Sequence, residues 1–225
     1  MIRRVLTVTT IALVMGCVAT KPAISRNNLY AAGYQDASLG DTIYIVQTKS
    51  AHDRYALGAG RVTRELVRQL RQRQWSVKTL SGERTQPWWE EASQSVGGVY
   101  SSTTGRKKPD AFRRALERFV KRIREEEGKT AIIVPNLVHT PAKLDGKSAQ
   151  WDGVRRAQIV SPRLERHRWS GKTVGLSVEV IAFSATGEWI TTSYGGLVLP
   201  FHTVVKASQS TISIMPCAPI GYCSL

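Results

Sequence analysis

Three stretches of apolar and polar residues predict strands in the first two thirds of the chain. Residues Asp41–Gln47 and Thr130–Pro135 are nearly all apolar and rich in β-branched side chains, which is typical of strands covered on both faces. Between them, Trp75–Leu80 alternates apolar and polar residues, as a strand does when only one face is buried. The pattern after Pro135 allows the third strand to continue towards His139.

Two longer stretches have the period of an amphipathic helix. In Gly58–Gln74 the apolar residues Ala59, Val62, Leu66 and Leu70 recur every three or four positions, and arginines occupy most of the rest. The second helix is predicted from Pro109 to Gly128, because proline suits a first helical turn and glycine commonly follows a last one.

The last third of the chain predicts antiparallel strands. Residues Thr173–Phe183 and Glu188–Tyr194 flank the glycine-containing loop Ser184–Gly187, which is the pattern of a β-hairpin. In the first strand Leu176 and Val178 share one face, while Ser177 and Glu179 share the other, so we expect one buried and one largely polar face. Weaker strand patterns lie at 154–160 and 202–206.

These elements predict an α+β fold: a mixed sheet with two helices packed on one face and a C-terminal antiparallel hairpin. One domain is expected over residues 41–206, followed by a tail at 207–225. Residues 18–40 have no sustained period and predict a tether, with a short helical or strand-like patch near Leu29–Ala32. Residues Ser81–Lys108 are rich in Ser, Thr and Gly and predict a long loop.

The N-terminus has the pattern of an export signal. Arg3 and Arg4 precede Val5–Met15, an uncharged run of apolar or small residues that is too short to cross a hydrocarbon core, which needs about 20 residues. The ending Val14-Met15-Gly16-Cys17 resembles the lipobox of bacterial lipoproteins. That resemblance implies removal of residues 1–16, lipid on Cys17 and a mature chain of 209 residues. The alternative is an ordinary secretory signal, cut elsewhere, with Cys17 incidental.

Two cysteines remain if Cys17 carries lipid. Cys217 and Cys223 form an even pair near the C-terminus, and an oxidising envelope favours a disulfide between them. The closed loop is small, so the bond would contribute about 2 kcal/mol. A metal site is not predicted, because the four histidines and the paired cysteines are far apart in sequence.

The chain is strongly basic. Its formal charge is +15, and removal of Arg3 and Arg4 leaves +13 on the mature protein. In a cytosolic protein this would indicate nucleic acid. An exported chain instead meets lipid headgroups, lipopolysaccharide phosphates, peptidoglycan carboxylates and acidic polysaccharides. The alternative is that the arginines only solvate helix faces.

The order of elements after the lipobox, and the hairpin turn Thr186-Gly187-Glu188-Trp189, resemble one lipoprotein superfamily. It includes the curli-secretion lipoprotein CsgG, the penicillin-binding-protein activator LpoB and the exopolysaccharide lipoprotein PelC, and its shared domain resembles the N-terminal domain of TolB. The resemblance covers about Asp41–Gly196 and implies an accessory or assembly role at the outer membrane, often as an oligomer, without catalysis. Val18, directly after the lipidated cysteine, fits outer-membrane sorting. The transmembrane-hairpin insertion of the pore-forming member is missing, so no pore is implied.

Aromatic and basic residues supply the candidate contact site. Trp88 and Trp89, with Arg106, Lys107 and Lys108 at the end of the predicted loop, have the composition of an interface anchor. The alternative places one tryptophan in the core with the other covering it.

Candidates for chemistry are weak. His52-Asp53 near Ser50 lacks an evident third partner, and Gly58-Ala59-Gly60 is only a faint likeness of a phosphate-binding turn. The expectation is therefore a protein without catalysis, cofactor or metal, which binds envelope proteins at the periplasmic face of the outer membrane. A module that binds peptidoglycan or acidic polysaccharide is the alternative.

Overall fold

The computed structural model describes residues 28–33, 39–50, 55–157, 169–205 and 212–216. Over these residues the fold is α+β, as predicted, with a mixed sheet and helices. In chain order the elements are β1 (Leu29–Tyr30), β2 (Thr42–Val46), β3 (Lys49–Ser50), α1 (Ala56–Gln72), β4 (Ser76–Leu80), α2 (Gly82–Gln94), α3 (Pro109–Glu127), β5 (Ala131–Gly146), β6 (Ser148–Trp151), β7 (Val154–Ala157), β8 (Trp169–Phe183), β9 (Trp189–Val198), β10 (Phe201–Val205) and β11 (Ile212–Pro216).

The main sheet has nine strands, and its principal order is β1-β9-β8-β5-β2-β4. Strands β4, β2 and β5 are parallel, whereas β5, β8, β9 and β1 pair antiparallel. The predicted hairpin is present as β8 and β9. The short strand β1 pairs with β9, so part of the predicted tether belongs to the sheet. The strand predicted near residues 202–206 is β10, which pairs with β11 in a separate two-stranded sheet.

Both predicted helices are present, but they do not share a face of the sheet. Helix α1 covers Ile43 and Ile45 of β2, whereas α2 and α3 cover Tyr44 and Val46 on the opposite face. The strand order supplies the reason. The crossover from β2 to β4 runs outward to the edge of the sheet. The crossover from β4 to β5 runs in the opposite direction, back past β2. Right-handed crossovers in opposite directions place their helices on opposite faces.

The prediction of a long loop over Ser81–Lys108 was wrong, because its first half forms α2. Ser81 caps this helix, with its side-chain oxygen accepting a hydrogen bond from the Arg84 backbone N–H at 3.3 Å. Pro87 lies inside the helix, and proline is normally a helix breaker. The serine cap and Glu83 in the first turn were the sequence signal for α2, but the composition obscured it.

The prediction that only one face of β8 is buried was also wrong, since Ser177 and Glu179 on its polar face are buried as well. Strand β5 runs on to Gly146, and the β6–β7 hairpin that follows brings the fully buried Trp151 over β8. Glycine permits this packing. A Cβ added to Gly175 would lie 2.5 Å from Cε2 of Trp151, and one added to Gly196 would collide with Val154.

Candidate functional site

The two tryptophans of the predicted contact patch lie on α2, half-buried against the core. Trp89 makes edge-to-face contacts with Phe112 and Phe119, at ring-centroid distances of 5.7 and 5.5 Å. Trp88 stacks near Arg84, whose guanidinium carbon is 5.4 Å from its ring centroid. Trp89 is therefore mainly a core residue, which agrees with the alternative interpretation of this pair.

The basic residues of the patch lie in the connection between α2 and α3. Nζ of Lys107 is 4.2 Å from the ring centroid of Phe112 and 3.8 Å from Oε1 of Glu179. Lys108 directs its Nζ to the Gly97 carbonyl at 3.4 Å. Arg106 has an exposed side chain. The structure thus brings Lys107 and Trp89 together on the ring of Phe112, but the five residues do not form one exposed patch.

Sequence reasoning missed a buried polar cluster on the α2–α3 face of the sheet. The Tyr194 hydroxyl donates to Oε1 of Glu179 at 3.1 Å, and Lys107 approaches the same oxygen. Further along, the Ser177 hydroxyl donates to Oδ2 of Asp152 at 2.6 Å and accepts from the hydroxyl of Thr140 at 3.1 Å.

This cluster has a structural role. Its groups satisfy one another and attach both the α2–α3 connection and the β6–β7 hairpin to the sheet. Since Ser177 is fully buried, its hydroxyl cannot meet a substrate. The period-2 pattern of β8 predicted these polar positions, but only the β6–β7 hairpin determines that they are covered.

A second feature lies on the opposite face, beside the edge strand β4. An open groove of about 830 Å³ separates α1 from this edge, and we call it the α1 groove. Thr79 near the end of β4 lines one side of the groove. The other side is one face of α1, and its lining residues include Gly60, Arg64, Val67, Arg68 and Arg71. Arg71 also reaches the strand itself, since its Nη2 donates to the Val77 carbonyl at 3.3 Å.

Charges on α1 and α3 are balanced differently. Helix α1 carries four arginines and a single carboxylate, Glu65, which pairs with Arg68. Helix α3 carries six basic and five acidic side chains, and many of them pair within the helix, including Arg113 with Asp110 and Arg122 with Glu126. Positive charge is therefore less neutralised along α1 than along α3.

The single carboxylate of α1 is held in its charged form. Arg68 donates to both oxygens of Glu65, at 2.8 and 2.5 Å, and Gln69 donates a third hydrogen bond at 2.8 Å. These hydrogen bonds, Arg68 foremost, lower the pKa of Glu65 to about 2. The same pairing raises the pKa of Arg68. Glu65 thus orients Arg68 along the groove, while Arg64 and Arg71 remain outside this pair.

A third position of interest is the carboxyl end of β2, where the two crossovers diverge and open α/β sheets commonly bind ligands. Lys49 lies there, with its Nζ donating to Oε1 of Gln86 at 2.9 Å and lying 5.7 Å from the Trp89 ring centroid. Burial lowers the pKa of Lys49, and the charge of Glu90 partly opposes this. The cavity beside it, next to Asn136, measures about 30 Å³, which suits a water molecule and no larger ligand.

Several predicted sites fall outside the described residues. These are the lipidation site Cys17, the paired Cys217 and Cys223, and the His52-Asp53 pair. Gly58, Ala59 and Gly60 lie within the first turns of α1. His139 contacts Tyr55, with its Nε2 at 3.4 Å from the tyrosine hydroxyl.

Across the described part of the chain, no three His, Cys, Asp or Glu side chains cluster as metal ligands would. None of the described helices is long and apolar enough to cross a membrane. Fold and site together define an α+β domain with one basic groove beside an edge strand. No protein-family model, curated protein or solved structure matches the chain.

Proposed function

We propose that this chain is a non-catalytic lipoprotein at the periplasmic face of the outer membrane, which binds an anionic envelope partner through the α1 groove. Lipid on Cys17 anchors it, and the residues between Cys17 and β1 set its reach. The lipobox-like N-terminus and the resemblance to the CsgG, LpoB and PelC lipoproteins support this assignment. The partner is an envelope protein or an acidic glycan, and the protein serves as an accessory or assembly factor.

The observation that carries this proposal is the unequal neutralisation of two basic helices. Arginines that only solvate a helix are expected to pair with neighbouring glutamates, as Arg122 does in α3. Three of the four arginines of α1, Arg64, Arg68 and Arg71, instead line one open groove, and the helix holds a single carboxylate. Such a stripe attracts anions and orients them, and guanidinium groups bind carboxylates and phosphates in a bidentate geometry.

A matched pair of double variants tests the proposal. Arg64→Ala/Arg71→Ala and Arg113→Ala/Arg122→Ala remove the same charge, the first pair from the groove and the second from α3. Binding of a labelled acidic polysaccharide and of an acidic peptide is measured by fluorescence anisotropy at several salt concentrations. We expect the groove variant to bind at least about tenfold more weakly and the α3 variant to bind nearly as well as the unmodified protein.

Equal losses in the two variants would contradict the proposal, because they would show that only net charge matters. Affinity for the polysaccharide should fall steeply with added salt, since the contacts are exposed ion pairs. Crosslinking in intact cells, followed by identification of the captured molecules, distinguishes a protein partner from a glycan.

A further inference from the structure

Strand β4 forms one end of the main sheet, so one of its edges has no neighbouring strand among the described residues. Backbone groups of successive residues in a strand point alternately to its two sides. The Leu80 carbonyl faces β2, where it accepts from the Gln47 N–H at 2.9 Å. Val77 and Thr79 therefore face the open edge, and the Arg71 side chain already donates to the Val77 carbonyl there.

The α1 groove runs along this open edge. Its helical stripe extends from Gly60 to Gln72, and at 1.5 Å per residue this spans about 18 Å. A strand rises about 3.3 Å per residue, so the same distance fits an extended segment of about five residues. Thr79 lies on the α1 face of β4, because it pairs with Ile45, which α1 covers. Alternate side chains of a segment added to β4 would thus face the arginines.

Charge selects the occupant of this edge. A second copy of the chain would bring Arg64, Arg71 and the edge residue Lys78 against their own equivalents, and like charges repel. The chain's own stretches outside the described residues hold at most one carboxylate each. An acidic partner matches the groove, because its carboxylates would replace the missing counter-charges.

We propose that the α1 groove binds an extended acidic peptide segment of a partner protein, which adds to the sheet as a strand next to β4. Main-chain hydrogen bonds join the segment to Val77 and Thr79, and alternate side chains place carboxylates on Arg64 and Arg71. Arg71 exchanges its bond to the Val77 carbonyl for a bond to a carboxylate. This inference rests on the proposed function and names the chemical class of its partner.

The test uses a seven-residue peptide of alternating threonine and glutamate with blocked ends. Two further peptides carry N-methyl groups, either on all glutamate amides or on all threonine amides. In a strand one of these two sets points at β4 and the other points away. A peptide with glutamine in place of glutamate controls for charge, and a labelled acidic polysaccharide reports binding by charge alone. Dissociation constants are measured by fluorescence anisotropy.

We expect the parent peptide to bind, and only one of the two methylated peptides to bind at least about tenfold more weakly, since it loses main-chain hydrogen bonds. If both methylated peptides bind like the parent, strand addition is overturned while charge-based binding stands. If the polysaccharide binds and the parent peptide does not, the peptide class is wrong and the proposed function survives. If neither binds, both proposals fail.

A variant of the protein tests the same main-chain hydrogen bonds by changing β4 instead of the peptide. Thr79→Pro removes an N–H that faces the open edge, and edge strands tolerate proline where no ladder bond is lost. We expect Thr79→Pro to lose clearly more affinity for the peptide than for the polysaccharide, because proline removes a main-chain donor and leaves Arg64 and Arg71 in place. Equal losses with an unchanged melting temperature would contradict strand addition. The methylated peptides decide the question if Thr79→Pro fails to fold.

Discussion

At the scale of single residues, the fold depends on glycines that make room for one tryptophan. Trp151 is fully buried, and its indole Nε1 donates to the Leu176 carbonyl at 3.2 Å. A Cβ on Gly175 would lie 2.5 Å from the ring, so the identity of one small residue decides whether the β6–β7 hairpin can pack on β8. Interiors are packed densely enough that a single added methyl group is felt.

Gly175→Ala should therefore destabilise the protein by about 1–3 kcal/mol, as overpacking of a core does. The free energy of unfolding is measured by urea titration. Gly58→Ala is the matched control, because Gly58 lies in α1 with open space around its added Cβ. The control should be stabilised by about 0.5–1 kcal/mol, since alanine favours a helix more than glycine does. Equal effects of the two changes would contradict the close packing of Trp151 against Gly175.

Lys49 gives a prediction that depends on pH. Burial lowers its pKa in the folded protein, so the unfolded chain binds more protons between the folded and the unfolded pKa values. Stability conferred by this site therefore rises with pH through that window, and it is lowest when Lys49 is charged in both states. Lys49→Met retains the packing on Trp89 and never carries the charge.

We expect the free energy of unfolding of Lys49→Met, relative to the unmodified protein, to be most favourable at neutral pH. This advantage should shrink as the pH rises towards the ordinary lysine pKa of about 10.4. Chemical denaturation of both proteins from pH 7 to 10 measures the two free energies of unfolding. Titration of groups other than Lys49 affects both proteins equally and cancels when one free energy is subtracted from the other. A difference that stays constant over this range would contradict burial of the charge.

At the scale of elements, α2 determines how the predicted contact residues are used. The helix starts at a serine cap, lies against α3 and holds Trp89 between Phe112 and Phe119. An ion pair between Arg84 and Glu127 at 2.5 Å joins the two helices at their other ends. The first half of the predicted loop is thus a structural layer over the sheet, whereas the arginines of α1 are exposed.

Pro87→Ala should stabilise the protein by about 1–3 kcal/mol, because proline inside a helix lacks an N–H and crowds the preceding turn. The change in melting temperature, converted with the unfolding enthalpy, measures this. Glu91→Ala, an exposed change four residues further along α2, serves as the control and should stay within about 0.5 kcal/mol. A loss of stability in Pro87→Ala would mean that a bend at this position is needed for packing.

At the scale of the whole molecule, the proposed function requires the basic domain to be held at a membrane. Cys17→Ala removes the thiol that lipid would modify, so we expect the variant protein to leave the membrane fraction and the mature chain to lose the mass of its acyl groups. Cell fractionation and intact-mass analysis measure both. The variant Cys217→Ala/Cys223→Ala is the control and should remain with the membrane. A Cys17→Ala protein that stays membrane-bound would contradict lipid anchoring.

Local patterns were enough to predict the elements that depend on neighbours in sequence. Helix α3 begins at Pro109 and is followed by Gly128 at a φ of 88°, as proline and glycine indicated. The apolar run of β2 predicted a strand covered on both faces, and the loop Ser184–Gly187 predicted the β8–β9 hairpin. Helix α2 escaped prediction because Pro87 and its many polar residues weaken the helical period.

The sequence by itself determined the amphipathic stripes, the caps and the turns, because these arise from side chains within a few residues of one another. Only the tertiary structure decided that α1 lies opposite α2 and α3, that Glu179 is buried and that Arg64 and Arg71 line an open edge. Each of these features depends on strand order or on a distant segment folding over a strand. Contacts between residues far apart in the chain produce no periodic pattern in the local sequence, so the sequence alone does not predict them.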